Sequence, residues 1–148
     1  MKIEKHEFGV MPSGEKVYEY EMTNNNGMLV SIIELGGCIN KIVLPTADGK
    51  GVDVNQGYTQ LDAYLYESAM MGATVGRNAN RIYPVDININ GAKYTLPKTV
   101  GEVNAHSNRH GLNIAVLKAE IAGDKLVMST TVKDMSDCFP GDLEFKVT

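Results

Sequence analysis

Polar and apolar residues alternate with a period of two along most of this chain. In Val17-Tyr18-Glu19-Tyr20-Glu21-Met22, the two tyrosines and Met22 share one face and the glutamates take the other. That is the pattern of a strand with one face buried. Asn24-Asn25-Asn26-Gly27 follows, and Asn-Gly accepts the positive φ of a tight hairpin turn. Residues 28–35 predict a second strand, interrupted by Gly36-Gly37, and residues 38–44 a third, which Pro45 ends; Asp48-Gly49 makes the next turn. Residues 62–71 are the one stretch with helical spacing, where Leu61, Tyr64, Leu65 and Met70 share a face. Val85, Ile87 and Ile89 then alternate with Asp86, Asn88 and Asn90, Asn90-Gly91 turns the chain, and residues 93–96 return. This is the clearest hairpin in the sequence. Residues 114–121 and 126–132 form a further pair around Gly123-Asp124. Strands at this spacing with almost no helix predict an all-β fold, an antiparallel β-sandwich. Leu143, Phe145 and Val147 alternate with Glu144, Lys146 and Thr148, so a strand is under way where the sequence stops. The expectation is that residues 1–148 form the N-terminal portion of one longer sandwich domain, incomplete at its C-terminus.

Composition narrows the function classes. Fourteen Lys and Arg against 18 Asp and Glu give a net charge of −4, which disfavours a nucleic-acid partner, whose phosphates call for clustered cations. No run approaches the ~20 apolar residues that cross a bilayer, and no membrane partner is expected. The start, MKIEKHEFGV, has no apolar signal core, so the expected compartment is the cytoplasm. Cys38 and Cys138 are too few for a disulfide scaffold and read as small buried hydrophobes.

Three segments are richer in polar groups than a sandwich loop needs. Gly76-Arg77-Asn78-Ala79-Asn80-Arg81-Ile82 places two arginines and two asparagines within six residues. Arginine brings several fixed donors and asparagine a donor and an acceptor, a set that suits a hydroxyl-rich ligand or, more blandly, a surface turn. Asn104-Ala105-His106-Ser107-Asn108-Arg109-His110-Gly111 holds two histidines at i, i+4. That spacing binds zinc on a helix, but Gly111 and the Asn and Ser residues argue against a helix and no third ligand is evident, so no metal is expected. His110 reads as a solvated loop residue. Asp134-Met135-Ser136-Asp137-Cys138-Phe139-Pro140-Gly141-Asp142 reads as a turn before a strand. There is no phosphate-cradling glycine loop and no nucleophile elbow.

These segments, in this order, resemble the aldose 1-epimerase (galactose mutarotase) family. Gly72-Ala73-Thr74-Val75-Gly76-Arg77-Asn78-Ala79-Asn80-Arg81-Ile82 is similar to the family's GAxxGRxANRI stretch. Residues 54–64 resemble its vvLGfdsleaY run, residues 90–96 its ldGkxyxL hairpin, residues 104–112 its NxLHGGxxGf segment, and Phe139-Pro140-Gly141-Asp142-Leu143 its yPGdL. The resemblance implies a large antiparallel β-sandwich and an enzyme that interconverts the α and β anomers of free aldoses such as glucose and galactose. It implies a monosaccharide substrate and no cofactor. By motif match, Asn80, Arg81 and His106 are the implied sugar-binding residues, while Arg77 and Asn78 hold the loop. The family's catalytic acid, a histidine, and base, a glutamate, match no residue in this chain, so no catalytic residue is assigned. Two departures stand out. LHGG has become Ala-His-Ser-Asn, which puts Ser107 and Asn108 where glycine stands, and the tryptophan expected after this segment is missing, with Leu117 near its place. Two other classes share the motifs: a non-catalytic carbohydrate-binding or sugar-sensing relative, and a hexose-6-phosphate 1-epimerase. The latter calls for extra cations, of which residues 98–109 supply only Lys98 and Arg109.

Overall fold

The computed structural model describes residues 1–67, 69–107 and 111–148. Five strands run antiparallel in chain order as one meander: β1 (Lys2–Val10), β2 (Lys16–Thr23), β3 (Leu29–Ile33), β4 (Ile39–Pro45) and β5 (Gly51–Asp53). Helix α1 (Leu61–Tyr66) follows, then β6 (Arg81–Ile82), the hairpin β7 (Asp86–Ile89) and β8 (Ala92–Thr95), and β9 (Asn104–Ala105), which pairs with β6. A second antiparallel sheet of β10 (Lys118–Ala122), β11 (Lys125–Val132) and β12 (Leu143–Val147) completes the described elements.

The two larger sheets pack through the face that alternation marks. Tyr20 of the first sheet, with Tyr18, Met22 and Ile32 beside it, meets Leu117, Leu126, Met128 and Phe145. The opposite face buries Val17, Ile33, Leu35 and Cys38 against Leu61 and Tyr64 of α1. Apolar area removed from water on both faces holds the layers together. Burial pushes the Cys38 thiol up to about 12, so it behaves as a small apolar side chain.

Two expectations are corrected and one strand is added. The helix ends at Tyr66 instead of continuing to residue 71. The chain must come back to the sheet, where Ile39 N–H donates to Gly72 O at 3.0 Å. Gly72 sits at a φ of 64°, and a Cβ there would lie 2.2 Å from Ile39 O. Residues 114–117 are outside the strand that begins at Lys118, because Leu112–Ile114 form a 3-10 turn. Strand β1 is absent from the pattern reading. Lys2–Val10 carries charges on both faces, as suits the edge strand it forms.

One buried polar network interrupts the apolar layers. Ser31 pairs with Lys41 and Ile32 with Ile39, so Asn40 is the extra residue of a β-bulge. The bulge presents Asn40 and Lys41 to the same carboxylate. Glu19 Oε1 accepts from Ser31 Oγ, from Asn40 Nδ2 at 2.8 Å and from Lys41 Nζ at 3.3 Å. The Tyr64 hydroxyl donates to Asn40 Oδ1 at 2.8 Å and accepts from Tyr58 N–H at 3.0 Å. Burial opposes ionisation of Glu19, but the donors from Ser31, Asn40 and Lys41 outweigh it and hold the carboxyl below its ordinary range.

Candidate functional site

The polar 76–82 segment lies against the 104–107 segment through the two-residue ladder of β6 and β9, where Arg81 faces Ala105 and Ile82 faces Asn104. So short a ladder needs other ties, and side chains supply them. Thr99 Oγ1 accepts from Ala105 N–H at 2.7 Å and donates to Ala105 O at 3.1 Å. Asn104, fully buried, donates from Nδ2 to Pro97 O at 2.9 Å and to Ser107 O at 2.6 Å. Both partners are carbonyls, so only the NH₂ end of the amide can face them. Arg77 closes the other side of the loop. Its Nη1 donates to Pro140 O at 3.1 Å, and the two hydrogens of its Nη2 are shared among Gly141 O at 2.6 Å, Val132 O at 3.0 Å and Lys133 O at 3.0 Å. The guanidinium fork ties the turn after β11 to the polar loop. That turn is internally braced: Asp142 accepts from Asp134 N–H and Lys133 Nζ, each at 2.8 Å. Lys133 beside Asp142 holds its carboxyl below the usual range. Residues 134–142 are thus a structural turn, in keeping with the reading from sequence.

The three implied sugar-binding residues are brought together. His106 N–H donates to Asn80 O at 3.0 Å, and Asn80 N–H donates to His106 Nδ1 at 3.2 Å. Arg81 Nη1 donates to Asn80 Oδ1 at 3.2 Å. Asn80 is the link, and a φ of 63° lets its backbone face the imidazole while its amide meets the guanidinium. An imidazole that accepts at Nδ1 carries its proton, in the neutral form, on Nε2. His106 therefore presents a donor on the side away from Asn80. It also lines a cavity of about 420 Å³, whose wall includes Tyr66, Met70, Val100 and Ile114. Asn80 and Arg81 are exposed and stand outside that wall.

The sequence profile of the aldose 1-epimerase family matches residues 18–148. This chain belongs to the aldose 1-epimerase family. A galactose mutarotase of Rattus norvegicus is 29% identical over 141 residues, which are 95% of this chain and 41% of that relative. The chain thus spans about two fifths of the length of the curated relatives it matches. A solved GalM/aldose epimerase homologue from C. elegans superposes with a TM-score of 0.78 at 26% identity, covering 85% of this chain and 39% of that one. Galactose 1-epimerase from Lactobacillus acidophilus superposes with a TM-score of 0.82 over 98% of this chain and 43% of that one; at 20% identity this speaks to the fold. The all-β fold expected from alternation is the aldose epimerase fold.

Other expectations meet the structure as follows. Arg77 and Asn78 hold the loop, Arg77 through four carbonyls and Asn78 by donating from Nδ2 to Asn80 O at 3.1 Å. Lys98 is taken up in an ion pair with Glu102. His110, Arg109 and Asn108 lie outside the described residues. Among the described residues no three His, Cys, Asp or Glu side chains converge as a metal site, and no helix is long and apolar enough to cross a membrane. Leu117, near the place of the missing tryptophan, is 1% exposed in the core between the sheets. Sequence reasoning treats Ser107 only as an unfavourable stand-in for glycine. The positive φ is there, at 64°, but Ser107 is also fully buried and hydrogen-bonded. The signal for this lay in pairing that serine with the asparagines of a segment 29 residues away, which spacing alone does not reveal.

Proposed function

We propose that this chain supplies the sugar-contacting corner of an aldose 1-epimerase acting on a free hexose such as galactose or glucose. The observation that carries the reading is the hydrogen-bonded chain from Arg81 through Asn80 to His106. It sets a permanently charged multiple donor and a neutral donor beside one another on a single corner. Arg81 donates to sugar hydroxyls without changing charge. His106, with its proton on Nε2, donates to an oxygen on which negative charge develops.

Anomer exchange asks for little else from this part of the molecule. A base takes the proton of the C1 hydroxyl, an acid protonates the ring oxygen, the C1–O5 bond breaks and the C1 aldehyde forms. After rotation about C1–C2, closure from the opposite face returns both protons. Each general acid or base contributes roughly 10²–10⁴ in rate, and no residue here is assigned to either role. The 148-residue chain is therefore expected to bind sugar without accelerating mutarotation, while a family member that carries both groups does both. The protein works in the cytoplasm under this reading and needs no cofactor.

The test is a titration of the chain with millimolar galactose, observed by NMR at the Arg81 guanidinium and the His106 imidazole, alongside polarimetry of freshly dissolved α-galactose. Shifts at both residues, with the His106 shift lost in Arg81→Ala, and the uncatalysed polarimetric rate are expected. No shift at either residue at saturating sugar would refute the binding reading, and an accelerated optical change would refute the division of labour.

A further inference from the structure

Ser107 has more contacts than a tolerated replacement requires. It sits at a φ of 64°, next to His106 at 56°, and is wholly buried. Two successive left-handed residues are costly for side chains with a Cβ. A buried hydroxyl adds a further cost unless its hydrogen bonds are made. Here both capacities are used. Ser107 Oγ accepts from Asn78 N–H at 2.7 Å and lies 2.9 Å from Asn78 Oδ1 and 3.4 Å from Asn78 O. The hydroxyl has one hydrogen, and the nearer Oδ1 takes it. The Ser107 carbonyl is held in turn by Asn104 Nδ2. Asn78 then reaches forward, Nδ2 to Asn80 O, the same oxygen that accepts from His106 N–H. A closed ring of contacts thus runs from Ser107 to Asn78, to Asn80, to His106, which adjoins Ser107 in the chain.

We propose that Ser107 is a positioning residue: its hydroxyl staples Asn78 so that Asn80 N–H meets His106 Nδ1, which fixes the imidazole as an Nε2–H donor. The proposal rests on the sugar-binding reading for its purpose, but its test needs no sugar. A glycine leaves φ free and makes none of the hydroxyl's bonds. The serine replaces that freedom with a fixed tautomer, in keeping with a site whose geometry is set before ligand arrives.

Two variants separate the staple from simple tolerance. Ser107→Gly suits the positive φ and loses the hydroxyl; Ser107→Ala keeps the Cβ and loses the hydroxyl. In the full 148-residue chain labelled with ¹⁵N, long-range imidazole correlations report the His106 tautomer, and amide exchange reports Asn78, Asn80 and, as a folding control, Leu126 and Met128. With the staple, both variants lower Asn80 amide protection about 10-fold, the equivalent of one ordinary hydrogen bond, and mix the two His106 tautomers, while the controls hold. If Asn78 protection falls but Asn80 and the imidazole do not change, Ser107 makes a local contact only and the proposal fails. It fails equally if both variants lose the control amides, since the role is then structural. All signals are read without ligand, so a failed galactose titration counts against the sugar reading and leaves this result standing.

Discussion

The Glu19 network and the Asn80–His106 corner are both clusters of polar side chains, yet they are built in opposite ways. Glu19 sits in a strand, 7% exposed, with its donors delivered by β3 and by the bulge in β4. The corner rests on a two-residue ladder, with three residues at positive φ and Arg81 exposed to solvent. In the first, paired strands and their one bulge place the side chains, and the polar groups meet one another. In the second, side chains such as Ser107, Asn104 and Thr99 place the backbone, and donors are left over for a ligand. The first cluster turns its polar groups mainly on one another; the second leaves Arg81 turned to solvent.

Substitutions can break that contrast, and the largest effect should come from the scaffold. Leu117→Ala opens a void between the sheets and is expected to cost about 2–5 kcal/mol in urea unfolding. Arg77→Leu, which frees the carbonyls around the turn after β11, should cost about 2–3 kcal/mol; Arg77→Lys should recover little of it, because a point charge lacks the fork.

A smaller effect, about 1–2 kcal/mol, is expected for Glu19→Gln. Its pH dependence is more telling. The carboxyl is held below its ordinary value of 4.5 in the fold, so its contribution is complete above that value and is lost as pH falls through the depressed one. Urea midpoints of wild type and Glu19→Gln should converge as pH drops below about 4.5, the ordinary carboxyl value. A constant gap down to strong acid would mean the charge plays no part. Smallest of all, Arg81→Ala should change stability by no more than about 0.5 kcal/mol while removing the galactose-dependent shift at His106. A large stability loss from Arg81→Ala would erase the distinction between the two regions.

How legible each region was follows from the same contrast. Tyr18, Tyr20 and Met22 announce their strand because one face meets an apolar layer, and Asn90-Gly91 announces its hairpin because few other pairs take those angles. Asn80, Arg81 and His106 could be named from motif, but not their connection, since the Asn80–His106 bond spans 26 residues and runs from a backbone amide to a ring nitrogen. The Glu19 network was invisible for a different reason. It depends on a β-bulge at Asn40, which turns two consecutive residues to one carboxylate, an arrangement that strict alternation does not anticipate. Strand β1 escaped because an edge strand with charges on both faces has no period to detect.

The Arg77 fork has a consequence in time. Its farthest acceptor, the carbonyl of Gly141, lies 64 residues later in the chain. At a synthesis rate of roughly 5–20 residues per second, the ribosome needs at least about 3 s to deliver that acceptor after Arg77 has been joined. The meander can begin to pair in that interval, but the corner cannot be finished, so a nascent chain must acquire its frame before its polar loop is tied down.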